Sequence, residues 1–142
     1  MAVRKGSAQW NGTLKDGNGT VSSESGVLQN TSYSFSSRFE EGNGTNPEEL
    51  IGAAHAGCFS MALSAELGEA GYKPASINTT DKVHLVKKED GFTISKIEII
   101  TEADIPDIDE DTFRSHAESA KKNCPVSRAL AGVEFELNAI LK

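Results

Sequence analysis

Aromatic residues make up only 6% of this 142-residue chain, with a single tryptophan among them. Cysteine occurs twice, as Cys58 and Cys124, with no C-x-x-C pair. The three histidines share no metal-ligand spacing with those cysteines, so neither a metal cluster nor a disulfide-stapled scaffold is expected. A chain of this length can bury a core without such staples. Basic residues are sparse, 14 against 21 acidic, for a net charge of −7 at pH 7. They are scattered, with doublets only at Arg4-Lys5, Lys87-Lys88 and Lys121-Lys122. That pattern argues against nucleic acid and against an anionic membrane as partners. No apolar run reaches spanning length, and none follows Arg4 and Lys5 as a secretory leader would require. The expectation is one soluble, cytoplasmic domain over residues 1–142, its cysteines resting as thiols.

What is present reads as strands in blocks with helices between them. Residues 8–14 and 19–28 flank a hairpin signal at Asp16-Gly17-Asn18-Gly19. Residues 32–40 alternate as a strand, with Tyr33 and Phe35 on one side and Arg38 on the other. A long helix is predicted over about 47–70, then strands over 76–87 and 92–101, a loop through Pro106, and a helix over 110–122. That last helix runs from acidic to basic, as its dipole prefers. The sequence NCPVSRAL reads as a fresh helix start, and residues 133–141 alternate as a final strand. The absence of a regular βαβ rhythm makes the class α+β.

The long helix carries the first question. Asn46 suits its N-cap, Pro47 its first turn, and Glu49 the return arm of a capping box. Gly71 suits its C′ position. Between Leu50 and Leu63 only His55 and Ser60 are polar. A helix apolar all round needs cover all round, and one sheet of so short a chain covers one face. A second subunit is expected on the other, approaching over Gly52, Ala53, Ala54, Ala56 and Gly57.

Cys58 sits at the middle of this helix, and Cys124 stands next to Pro125 at the start of another. A buried free cysteine is often no more than a small hydrophobe. At a helix start, however, unpaired amides and the positive dipole end favour thiolate. Burial raises a thiol pKa, so a nucleophilic Cys58 needs a cation. A guanidinium about 4 Å away is worth roughly 4 kcal/mol at an effective dielectric near 20, enough to bring the thiol to about pH 6. Of Arg4, Arg38, Arg114 and Arg128, Arg38 lies nearest in sequence to the glutamates that open the long helix. Glu48, with no capping role, is the candidate to clamp it. Arg128, near Cys124, is the runner-up.

The stretch NPEELIGAAHAGCFSMAL, with CPVS following 66 positions after Cys58, resembles the OsmC/Ohr family of hydroperoxide-reducing proteins. The segments GTVSSESGVL and RFEEGNGTNPEELIGAAHA are more similar to the OsmC branch. The resemblance runs from about Lys5 to Leu141. It implies an OsmC-like fold in which two chains intertwine as a homodimer, with long central helices flanked by antiparallel sheets. It implies that Cys58 is the peroxidatic thiolate, that Cys124 is the resolving thiol, and that Arg38 and Glu48 activate Cys58 partly across the interface. The substrate implied is a small hydroperoxide, organic in preference to hydrogen peroxide. The reductant implied is an external dithiol, with lipoyl-type dithiols as family precedent. No metal, flavin or haem is called for.

Two other readings use the same residues. His55, three before Cys58, could serve as base in a Cys-His acyl hydrolase, although no third, orienting residue is evident. A non-enzymatic stress protein that binds apolar ligands is the other. His84 and His116 are expected to be exposed and idle.

Overall fold

The structure, a computed structural model describing residues 2–142, begins with the hairpin that its glycines dictate. Strands β1 (Gly6–Asn11) and β2 (Asn18–Ser23) pair antiparallel, with Gly6 opposite Ser23 and Asn11 opposite Asn18. The loop is residues 12–17, closed by the Gly17 N–H donating to the Thr13 carbonyl at 2.8 Å. Asn18 and Gly19 are already strand, so the turn falls earlier than expected. Gly19 serves a close approach instead: a Cβ there would stand 2.6 Å from both the Trp10 and Tyr33 rings. Those rings pack with centroids 5.3 Å apart. Strand β3 (Thr31–Tyr33) completes a three-stranded sheet in the order β1-β2-β3.

The strand expected over residues 32–40 stops at Tyr33, and helix α1 (Phe35–Phe39) takes its place. Ser34 is the reason. Its hydroxyl accepts the Ser37 N–H at 3.2 Å, and the Ser37 hydroxyl accepts the Ser34 N–H at 2.8 Å. This reciprocal cap gives the backbone a local alternative to a sheet ladder. Phe35 and Phe39 then meet four residues apart, with ring centroids at 4.9 Å. Arg38 is therefore on a helix rather than a strand.

Helix α2 (Pro47–Glu69) starts where predicted, with Asn46 Oδ1 accepting the Glu49 N–H at 2.8 Å. Glu49 does not return the bond to Asn46; its carboxylate accepts the Thr45 hydroxyl at 2.7 Å, so the capping box is half made. The helix ends at Gly71, with φ of +93°. The Tyr72 N–H reaches the Leu67 carbonyl at 2.8 Å and the Gly71 N–H reaches Gly68 at 3.1 Å, a Schellman closure.

The chain divides into two compact units, up to Leu50 and from Ile51 onward. The second is built on strands β4 (Ser76–Lys88), β5 (Gly91–Asp104) and β6 (Glu134–Leu141), in that order. β4 and β5 form an antiparallel hairpin with a register shift at His84/Leu85. β6 runs parallel to β5, so this sheet is mixed rather than antiparallel as expected. The cause is the crossover through helices α3 (Glu110–Asn123) and α4 (Pro125–Ala129), which returns the chain to the same end of the sheet. Phe59, Leu63 and Leu67 of α2, Ile97, Ile99 and Ala103 of β5, and Phe113, Ala117 and Ala120 of α3 are all fully buried. Each large side chain among them contributes about 1.5–3 kcal/mol by burial.

Within this unit α2 is covered on one stripe only. His55, Phe59, Leu63 and Leu67 are fully buried, whereas Ala53, Ala54, Gly57, Ser64, Ala65 and Gly68 are exposed and Met61 is 77% exposed. By length and composition alone α2 is long and apolar enough to span a bilayer, a test that the core helix of a soluble protein also passes.

Candidate active site

α2 carries Cys58 to a half-buried position against the start of α4. Cys124 is the residue between α3 and α4: it ends one helix and caps the next, with φ −60° and ψ 135°. Pro125 makes this abrupt junction possible, since it needs no N–H partner in a first turn and disfavours helix at the residue before it. Both thiols are free, Cys124 is fully buried, and the two are close neighbours. Burial pushes the Cys58 thiol up from its ordinary value; the Val126 backbone N–H pulls it down, and the neighbouring Cys124 thiol raises it further. No lysine or arginine enters that balance.

Behind Cys124 lies a chain of buried hydrogen bonds. The Ser127 N–H donates to Cys124 Sγ at 3.3 Å, and the Ser127 hydroxyl lies 3.2 Å from the same sulfur. That hydroxyl is also 2.8 Å from His55 Nε2. His55 Nδ1 pairs with Asp81 Oδ2, and both side chains are fully buried. A carboxylate only accepts, so Nδ1 carries a proton toward Asp81, and in that single-proton tautomer Nε2 accepts from Ser127. Asp81 Oδ1 is buried without a partner among the described residues, a cost of about 1–3 kcal/mol. With both ring nitrogens engaged elsewhere, His55 is not the base for Cys58, and the Cys-His hydrolase reading fails on geometry. The orienting residue that the sequence did not reveal is Asp81. It lies 26 positions from His55, with no local signal to join them.

Arg38 and Glu48 meet within the N-terminal unit. Arg38 Nε donates to Glu48 Oε1 at 2.9 Å, while Glu48 Oε2 is buried and without a partner among the described residues. Glu48 is nearly buried, and the Arg38 side chain is 35% exposed. The predicted clamp therefore forms, and it holds the guanidinium through Nε. Arg38 also lies over the Phe39 ring, 5.2 Å from its centroid. With Trp10, Leu14, Tyr33 and Phe35 these residues line an apolar pocket of about 290 Å³. Arg128, the alternative cation, is exposed on α4.

The remaining histidines are not idle. His84 Nε2 pairs with Glu98 at 2.6 Å, and this bond holds the Glu98 carboxyl below its ordinary range. His116 Nδ1 lies 3.5 Å from Glu66. No cluster of metal-ligating side chains occurs among the described residues.

A family model described as OsmC-like protein matches residues 40–138. The chain is 57% identical to the peroxiredoxin OsmC of Escherichia coli K12 over 139 residues, covering 98% of this chain and 96% of that protein. It is 32% identical to the organic hydroperoxide resistance protein OhrB of Bacillus subtilis, over 84% of this chain and 88% of that one. Among solved structures, an organic hydroperoxide resistance protein from Elizabethkingia anophelis superposes with a TM-score of 0.73 at 27% identity, covering 99% of both chains. A mixed α+β architecture with two sheets, two thiols in contact and a clamped arginine accompany this full-length likeness: the chain belongs to the OsmC family.

Proposed function

We infer that this chain is a cysteine-based peroxidase that detoxifies hydroperoxides. The observation that carries the reading is the meeting of Cys58 and Cys124, two thiols 66 positions apart in sequence. The Cys58 thiolate attacks one oxygen of R–O–O–H, the O–O bond breaks, and the alkoxide leaves as alcohol once protonated. Cys58 is left as a sulfenic acid. Cys124 condenses with it to a disulfide, releasing water and blocking irreversible overoxidation. An external dithiol then reduces the disulfide by exchange.

Arg38 and Glu48 supply the activating charge in this proposal. Burial alone leaves Cys58 protonated at neutral pH. Glu48 and Cys58 are ten positions apart on α2, about 15 Å of helical rise. We therefore assign the guanidinium at each Cys58 to a second copy of the chain in a homodimer. The bare side of α2, with its small residues and the exposed Met61, supports such a neighbour. The apolar pocket beside Arg38 favours an organic hydroperoxide over hydrogen peroxide. Both units belong to one OsmC-like domain in this reading, which the family match across residues 40–138 supports. The unlinked thiols suit a reducing, cytoplasmic setting.

Mass spectrometry after one equivalent of cumene hydroperoxide tests the core of the reading. The expected product is a Cys58–Cys124 disulfide within one chain. Peroxide consumption by a Cys58→Ser variant at the native rate would refute it.

A further inference from the structure

The hydrogen-bond chain Asp81–His55–Ser127–Cys124 is used by none of these steps, yet it is continuous and its last member is the resolving sulfur. We propose that it is the proton path of the resolving step, with Ser127 as the catalytic relay and His55 and Asp81 as positioning residues behind it. The inference rests on the roles given above to Cys58 and Cys124.

A resolving thiol must lose its proton before it attacks, and Cys124 is fully buried, away from solvent bases. The Ser127 hydroxyl is the polar group in place to take that proton, 3.2 Å from Sγ. It hands its own proton to His55 Nε2 at 2.8 Å. Asp81 then faces an imidazolium, and its buried carboxylate balances the new charge. The nascent thiolate keeps the Ser127 N–H as donor at 3.3 Å. Cys124 sulfur bonds to the sulfenic sulfur of Cys58, the S–O bond breaks, and the departing hydroxide takes the relayed proton back as water. One sulfur is reduced, the other oxidised, and no further reactant is needed.

The titratable groups against this chain are Cys58 from α2, Asp81 from β4 and Cys124 at the head of α4, and Lys121 and Lys122 of α3 and Arg128 of α4 line the same cavity as Ser127. The other faces of His55 meet rings: Phe135 of β6 at 4.8 Å and Phe59 at 6.4 Å. The ring is thus held in one plane, with both nitrogens aimed at their partners. Ser127 is 6% exposed, and its hydroxyl is fixed between His55 and Cys124. The same three residue types serve as a hydrolase triad elsewhere, but here the group presented to the serine is the chain's own sulfur.

The test follows the full-length protein after one equivalent of cumene hydroperoxide, quenched with dimedone at set times. Mass spectrometry then reads trapped sulfenic acid against disulfide from pH 5 to 9. In Ser127→Ala the ratio of disulfide to sulfenic acid is expected to fall about 100-fold at neutral pH, the ordinary worth of a positioned proton acceptor. The deficit should shrink about tenfold per pH unit as hydroxide replaces the relay. Asp81→Asn should show the same pH signature with a smaller loss, and it serves as the second variant if Ser127→Ala folds poorly. A native disulfide rate in both variants overturns the relay, as does a loss that is equal at every pH, which is the mark of a packing role. If the unmodified protein consumes peroxide without linking Cys58 to Cys124, the roles of the two thiols fall first and the relay falls with them.

Discussion

Replacing Arg38 by alanine is the perturbation that bears most directly on how Cys58 becomes reactive. Burial and the neighbouring Cys124 push the Cys58 thiol above its ordinary value, and the Val126 N–H offsets only part of this. Such a thiol is held in its protonated form at neutral pH. A guanidinium about 4 Å away stabilises the anion by roughly 4 kcal/mol, close to a thousandfold in the ionisation constant. Arg38→Ala should therefore slow the reaction with cumene hydroperoxide about 100-fold at pH 7, with the rate recovering as pH rises toward the unassisted ionisation. The assay is single-turnover kinetics against pH in a Cys124→Ser background, with thiolate absorbance read in parallel. Arg38→Ala also strips Glu48 of its partner, leaving a nearly buried carboxylate unpaired. The Arg38→Ala/Glu48→Gln double variant, compared by melting curve, separates that destabilisation from lost activation. If Arg38→Ala ionises and reacts as the native protein does, the activating cation is another group and the argument from the Glu48 clamp is wrong.

Four further outcomes follow from the same structure. Cys124→Ser should complete one fast turnover and then accumulate oxidised Cys58, seen as a dimedone adduct by mass spectrometry. Phe59→Ala, which empties a fully buried site beside His55, should cost about 3–5 kcal/mol in urea unfolding; a loss under 1 kcal/mol would mean that the core is not where it is described. Asn46→Ala should cost about 1 kcal/mol through the lost cap, and more than Glu49→Ala, because Glu49 bonds only the Thr45 hydroxyl. Asp109 caps α3, and the Thr112 hydroxyl and N–H hold its carboxyl below the ordinary range. A depressed carboxyl stabilises the fold above its unfolded-state pKa, and that stability is lost as pH falls through the folded value. The melting temperature of Asp109→Asn should thus lie below native at pH 6 and converge with it in acid.

The elements most legible from the sequence were those with local punctuation. Asn46-Pro47 and Gly71 bound α2 because caps act over a few residues. Cys124-Pro125 marked the α3–α4 junction in the same way. Residues 32–40 misled because serines alternate with aromatics there as in a strand, while the deciding bond joins Ser34 to Ser37, and Phe35 and Phe39 also satisfy a helical spacing. The parallel pairing of β6 with β5 was hidden, since alternation gives a strand its faces but not its direction. At the site, the Arg38–Glu48 pair could be argued from chemistry alone. The partnership of Asp81, His55 and Ser127 could not, because it joins two helices and a strand across 26 and 72 positions.

The contact between Cys58 and Cys124 has a consequence for how tightly the polypeptide holds itself together while it works. A link across those 66 positions closes a long loop in the unfolded ensemble, worth up to about 4 kcal/mol by chain entropy. The oxidised form would then resist heat and proteases better than the reduced one. If catalysis runs through that link, a melting curve recorded in cell extract becomes a gauge of how much of this protein awaits recycling, and a scarcity of reductant would leave it hardened rather than exposed.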